Sequence, residues 1–370
     1  MNKVCGLRLW FAAALLLLLS NIGSAQERGW ATSIAWSPDG ETIAVGSNTG
    51  LWFFDTEFTE SGYVATREMA GYPPTTIDWN AKGDLVAISY SHFTDIPMLI
   101  IDANLQEIKT VIRDQWVTST VRWHLTDDLV MAGTLYGTVH IWDALTSAEL
   151  FSFKETLSER YAVLNYISAV CWLSESTVAV MGSEETYIVN VVENRMLESA
   201  IIGSLKLADC SIDGDILEIS VSGGVYHLRV ETSEEIPALY SASGKGANLG
   251  VSAAWSPDGS RVVLNGLGCN VYVYAFDGHS WELMKQLRGS YSREDTSPRY
   301  RDSIAWHPDG SRFAVVGQFD IRMWDAETYE LLHKFDGFEV GYHETLKSSI
   351  GLSEEERRRL MDSKDVTCPQ

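Results

Sequence analysis

One block of sequence recurs along this chain and restricts its fold more than any other feature. An alternating apolar strand ends in tryptophan, a tight turn follows, then a second apolar strand, then a third that ends in an aromatic or aliphatic residue and an acid. The blocks open SIAWSPDGETIAVGS at Ser33, TIDWNAKGDLVAIS at Thr76, TVRWHLTDDLVMAG at Thr120, AVCWLSESTVAVMG at Ala169, ADCSIDGDILEIS at Ala208, SAAWSPDGSRVVLNG at Ser252 and SIAWHPDGSRFAVVG at Ser303. The fifth is degenerate, with Cys210 standing where the others have Trp36, Trp79, Trp123, Trp172, Trp255 and Trp306. These markers fall 38 to 51 residues apart, bracketing the span of about 40–45 residues taken by a four-stranded repeat unit.

Each part of the block has a physical task. Asp39-Gly40, Asp213-Gly214, Asp258-Gly259 and Asp309-Gly310 supply residues that tolerate positive φ between two antiparallel strands. Ala44, Ala87, Ala132, Ala179 and Ala314 recur in the second strand, where a small side chain lets neighbouring sheets approach and the tryptophans fill the wider gaps. Third strands end at Phe54-Asp55, Ile101-Asp102, Trp142-Asp143, Val189-Asn190, Tyr274-Ala275 and Trp324-Asp325, the fifth block offering only HLRVE from His227. Outer strands follow, as in AELFSF from Ala148 and ELLHKF from Glu330. Period-two alternation throughout leaves little room for helices.

Through Trp142-Asp143, Trp324-Asp325 and the SPDG-type turns, residues 30–337 resemble the WD-repeat family. The resemblance implies an all-β chain, a single seven-bladed β-propeller of four-stranded antiparallel blades, and a role as an interaction platform rather than any one chemistry. The chain departs from the family pattern in lacking the Gly-His pair before each first strand and most of the aspartates between second and third strands, so the family's hydrogen-bonded tetrad is not expected in most blades. The AWSPDG repeat is also similar to TolB-type periplasmic propellers, which fits an exported, bacterial chain. Few residues precede the first block and the last carries its own fourth strand, so the ring is expected to close by packing of blade one on blade seven.

Residues 1–25 combine Lys3 and Arg8, an apolar run from Leu9 to Leu19, and the small residues Gly23, Ser24 and Ala25. This is the pattern of a signal peptide, cleaved after Ala25 and too short to span a bilayer. The propeller then occupies residues 26–337 and a tail residues 338–370. In the tail, Ser353 and Glu356 form a capping box for a short helix to about Asp362; packing or docking and simple disorder are both open for this segment. Cys171, Cys210, Cys269 and Cys368 remain after cleavage. Cys171 and Cys210 stand one step apart in the repeat register, which should point them to opposite faces of their strands, so buried free thiols are expected.

Twenty-eight Lys and Arg oppose 50 Asp and Glu, a formal charge of −22, which argues against nucleic acid and anionic membranes as partners. The chain contains no Gly-x-Ser-x-Gly elbow, phosphate-cradling glycine loop, His-Glu-x-x-His or zinc-spaced cysteine pair, and no cofactor or metal is implied. The eight histidines are scattered and read as structural or exposed. The reading is therefore a secreted or periplasmic, non-catalytic monomer that binds a protein or peptide. The alternative is a lactonase-like or other hydrolase whose acids, asparagines and histidines converge on the central channel. Connections on one face, between blades and between second and third strands, carry Tyr72, Phe93, Trp116, Tyr136, Tyr161, Tyr166, Tyr300 and Phe319. Aromatics of this kind serve either as partner anchors or as covers for the blade tops. The inserted loops at 155–166 and 286–301 lengthen this face, and Arg288, Arg293, Arg299 and Arg301 make the second basic enough to seat an acidic peptide. The candidate binding residues are Trp116, Tyr136, Tyr161, Tyr166, Tyr300, Arg301 and Phe319.

Overall fold

The computed structural model describes residues 28–66, 74–90, 98–113, 118–154, 167–182, 185–201, 205–211, 215–220, 225–229, 234–239, 252–266, 270–289, 303–317 and 320–338. These hold seven four-stranded antiparallel sheets, each a simple meander of strands consecutive in the chain. The inner strands are Ala31–Trp36, Thr76–Trp79, Thr118–Trp123, Ala169–Trp172, Leu205–Cys210, Ser252–Trp255 and Ile304–Trp306. Each inner strand packs on the next, and that of sheet seven packs on that of sheet one. The degenerate block forms a complete sheet, its remaining strands being Asp215–Ser220, Val225–Arg229 and Glu234–Leu239. No described helix is long and apolar enough to cross a membrane. The signal segment and the helix expected after Ser353 lie outside the described residues.

The core is divided among the seams between sheets, because both faces of the middle strands are covered. In sheet one, Ala44, Leu51 and Phe53 face sheet two, whereas Ile43, Val45, Trp52 and Phe54 face sheet seven. Sheet two repeats the division: Val86, Ile88, Leu99 and Ile101 pack towards sheet one, and Leu85, Ala87, Met98 and Ile100 towards sheet three. The recurrent alanines 44, 87, 132, 179 and 314 have no solvent exposure.

Two turns repeat around the ring. After the described inner strands of six sheets a polar side chain folds back onto the turn. Ser37 Oγ accepts from Thr42 N–H at 2.9 Å and Ser256 Oγ from Arg261 N–H at 2.9 Å. Asn80 Oδ1 accepts from Leu85 N–H at 3.0 Å, and His124 Nδ1 from Asp127 N–H at 3.0 Å. Gly40, Gly259 and Gly310 take φ of 76°, 68° and 73°, as their Asp-Gly pairs predict; Asp213-Gly214 is not described. After the third strands of sheets one, two, three, four and seven, the acid or amide accepts turn N–H groups: Asp55 from Thr59, Asp102 from Leu105, Asp143 from Thr146, Asn190 from Glu193 and Asp325 from Thr328. A left-handed residue completes five of these turns, namely Phe58, Gln106, Ser147, Asn194 and Tyr329. The pairing with the outer strand shifts register beside it, the signature of a turn closed by a bulge.

Gly40 carries a testable consequence. Its φ is left-handed, and a Cβ there would collide with the His307 ring of sheet seven, whereas Gly278, at φ 94°, has nothing within 4 Å of its would-be Cβ. Gly40→Ala is therefore expected to lose about 2–3 kcal/mol and Gly278→Ala about 1 kcal/mol, the difference being the contact with His307. Urea denaturation of the two variants measures it; equal losses would mean that backbone strain alone operates at Gly40.

The seams use different links at one level of the inner strands. The indole N–H of Trp79 donates to the Ala35 carbonyl at 3.4 Å, that of Trp123 to Asp78 at 3.0 Å, and that of Trp306 to Ala254 at 3.1 Å. In each case the tryptophan reaches the residue one step before the tryptophan position in the preceding sheet. Trp36 and Trp172 find no acceptor for their indole N–H. At those two seams a histidine from the preceding sheet's turn takes over. The His307 ring meets Trp36 edge-on at 4.8 Å and its Nε2 lies 3.1 Å from the Gly40 carbonyl. The His124 ring meets Trp172 at 4.5 Å and its Nε2 lies 3.0 Å from the Glu175 carbonyl.

Between sheets four and five the link is a disulfide, Cys171–Cys210, with Cα atoms 6.2 Å apart. This corrects the expectation of free thiols. A one-step offset does separate two side chains within a strand, but these cysteines sit on adjacent inner strands. There the residue before the tryptophan position of one sheet meets the tryptophan position of the next, so the offset brings the two sulfurs together. Cys269 and Cys368 are not described.

Sheet one meets sheet seven by side-chain packing, as expected, with no strand exchanged among the described residues. Phe54 packs on Phe335 and Phe338 at ring separations of 5.1 and 6.1 Å, and Phe58 stacks on Phe335 at 5.5 Å. The Arg28 guanidinium lies 5.3 Å from the Trp52 ring and 5.6 Å from that of Phe335, a favourable placement of a cation on aromatic faces.

Candidate partner-binding faces

The meander gives the ring two unlike ends. At one end lie the connections from second to third strands and from each outer strand to the next sheet; at the other lie the hairpin turns described above. Tyr136 is the candidate residue that the structure describes at the connection end. It sits between the strands Leu129–Thr134 and Thr138–Asp143, and its side chain is exposed. Its backbone N–H donates to Thr134 Oγ1 at 3.2 Å, Thr134 Oγ1 and Thr138 Oγ1 lie 2.7 Å apart, and Gly137 at φ 74° completes the turn. A braced turn of this kind holds the ring outward at low conformational cost. Trp116, Tyr161, Tyr166, Tyr300, Arg301 and Phe319 lie outside the described residues, as do Tyr72 and Phe93.

The turn end carries apolar groups that sequence reading passed over. Leu105 and Val192 are 68% and 79% exposed, and Leu125 and Leu145 about half. All four occupy hairpin turns of sheets two, three and four, where the backbone asks only for residues that suit a turn. The available signal was local: an apolar residue two or three places after Asp102, Asp143 and Asn190, and one directly after His124.

Groups able to do chemistry are held in structural contacts. His140 is buried, with Nδ1 2.7 Å from Glu149 Oε1 and Nε2 2.9 Å from Thr138 Oγ1; His124 and His307 link seams. On the inner strands, Asp78 accepts from the Trp123 N–H at 2.7 Å and Asp209 from the Trp255 N–H at 3.0 Å, each carboxylate bridging to the next sheet. Arg122 is half-buried in the same layer. No group of three or more His, Cys, Asp or Glu among the described residues is arranged to hold a metal. The turn acids are tuned by the same bonds. The backbone N–H groups of Thr59, Leu105, Thr146 and Thr328 hold the carboxyls of Asp55, Asp102, Asp143 and Asp325 below the usual range. At Asp309 partial burial acts in the opposite sense, but hydrogen bonds from Ser311 and His307 outweigh it and bring the carboxyl down to about 2.

Residues 22–55 match the family model of the WD domain, G-beta repeat. Among solved structures, the Cps50 (Swd1) β-propeller domain of Myceliophteria thermophila superposes with a TM-score of 0.62 at 12% identity, covering 83% of this chain and 97% of that one. The RRP9 WD40 repeats superpose with a TM-score of 0.65 at 12% identity, covering 79% and 89%. The fold is that of the WD-repeat β-propellers. A chain of the Mitotic Checkpoint Complex shares this fold as well, with a TM-score of 0.61 at 12% identity over 83% of this chain and 87% of that one. At such identities the likeness concerns backbone architecture, and WD-repeat propellers carry function in grafted surfaces rather than in the fold. No curated protein matches the chain.

Proposed function

We propose that this chain is an exported, non-catalytic scaffold: a seven-bladed propeller that holds a protein or peptide partner on the loops of its connection end. The observation that carries the reading is the disposition of reactive groups. Buried histidines and inner-strand carboxylates are committed to turns and seams, whereas the braced turn at the connection end displays a tyrosine, a residue type favoured at interface hot spots. One propeller of the same fold is a component of a multi-protein complex, and WD-repeat propellers are in general interaction platforms. Export rests on the signal-peptide pattern of residues 1–25.

Crosslinked capture from the exported fraction, read by mass spectrometry, tests this function. The parent chain is expected to retain a defined protein, and a Trp116→Ala, Tyr136→Ala, Tyr300→Ala variant with the same melting curve is expected to lose it by about tenfold or more. Equal retention by the variant would remove the connection end from the proposal. Turnover of an ester or lactone by the purified chain, abolished by Asp78→Asn or Asp209→Asn, would replace it with the hydrolase reading.

A further inference from the structure

We propose that the turn end of sheets two, three and four is a second docking surface, shaped for a basic protein segment with its apolar side chains on one side. It is independent of the connection-end function, lying at the opposite end of the ring. Four apolar side chains define it: Leu105, Leu125, Leu145 and Val192, one or more from the turns of each of three consecutive sheets and all substantially exposed. Leu150 and Met196, also exposed, extend it along the outer strands that follow. Exposed apolar groups concentrated in this way on a folded chain mark interaction surfaces.

The platform beneath them is tied across the seams. Lys82 of sheet two bonds Asp128 of sheet three at 2.8 Å, and His124 of sheet three reaches the Glu175 carbonyl of sheet four at 3.0 Å. Within each sheet, the turn after the third strand is fastened to the inner hairpin: Ala103 N–H to Asp84 O, Ala144 N–H to Asp128 O and Val191 N–H to Ser176 O, each at 2.9 Å. The turns are therefore held in fixed relation, and a partner meets a preformed surface.

Charge specifies the occupant. The cations of this end are each engaged by a neighbouring acid: Lys82 by Asp128, Lys109 by Asp102 and Arg195 by Glu193. Glu107, Asp127 and Glu175 stand exposed at the same end. A segment that places Leu or Ile on the four apolar side chains and Lys or Arg beside them satisfies both features, whereas an acidic or neutral segment leaves the carboxylates opposed or unmatched.

The test uses the full chain and a fluorescein-labelled peptide of Leu and Lys, about five helical turns long with its leucines on one face. Fluorescence anisotropy is expected to show saturable binding that a Leu/Glu peptide of the same pattern and a shuffled Leu/Lys peptide do not match. A Leu105→Ser, Leu125→Ser, Leu145→Ser, Val192→Ser variant is expected to bind at least about tenfold more weakly while melting as the parent does, since the side chains it changes are exposed. A control with Leu283→Ser, Met284→Ser, Leu331→Ser and Leu332→Ser, exposed positions on sheets six and seven, is expected to bind like the parent, as is Tyr136→Ala. The surface is refuted by failure of the Leu/Lys peptide to bind, by equal binding of the shuffled or Glu peptide, or by equal loss in the two four-site variants. Sensitivity to Tyr136→Ala alone would move the peptide to the connection end.

Discussion

Replacing Phe54 by alanine is expected to remove about 3–5 kcal/mol of unfolding free energy, because a fully buried aromatic ring leaves both its transfer energy and a cavity behind. The reason to single out this ring is its seam. Phe54 faces sheet seven and packs on Phe58, Phe335 and Phe338, and this seam joins the first and last sheets with no strand exchanged between them among the described residues. Phe53, its neighbour on the same strand, faces sheet two and packs on Trp79 at 6.0 Å. Urea denaturation should give Phe53→Ala a loss of similar size. Native-state hydrogen exchange should separate the two variants. Phe54→Ala should speed exchange in sheets one and seven together, and Phe53→Ala in sheets one and two. A loss below about 1 kcal/mol, or unchanged protection in sheet seven, would show that closure resides elsewhere.

Removing the Cys171–Cys210 bridge is the second large effect. The cysteines are 39 residues apart, and a cross-link over a loop of that length is worth about 4 kcal/mol through its constraint on the unfolded chain. The denaturation midpoint of the parent should fall on reduction, while a Cys171→Ser, Cys210→Ser variant should start low and ignore the reductant. Peptide mapping without reduction should recover the two cysteines in one linked fragment. A further variant, Cys171→Ala with Cys210→Trp, restores the residue that the other blocks carry. It should regain part of the loss if the indole reaches the residue 171 carbonyl, as Trp79, Trp123 and Trp306 reach their counterparts. A midpoint unmoved by reduction in the parent would argue that the thiols are not paired in solution.

Much of the architecture was legible in the residues because its determinants are local. A tryptophan, an Asp-Gly turn and a recurrent alanine in constant order specify strand, hairpin and close approach within about twenty residues. The acids after the third strands were legible as markers. Their work as acceptors for turn N–H groups, with a left-handed residue closing each bulge, became visible only with the backbone in place. The degenerate fifth block shows the same principle from the other side. Its motif is worn, yet four strands form there, since a repeat is stabilised by its neighbours as well as by itself.

By itself the sequence determined the all-β class, the repeat period, the hairpins and the buried alanines. These follow from alternation and turn chemistry read along the chain. Tertiary structure alone decided what happens between sheets. It paired Cys171 with Cys210, placed His124 and His307 at the seams of Trp172 and Trp36, and gathered Leu105, Leu125, Leu145 and Val192 at one end of the ring. Seam contacts join residues about 40 or more positions apart whose offset depends on how one sheet sits against the next, and that offset is a property of the packed ring that a reading of one strand at a time does not contain.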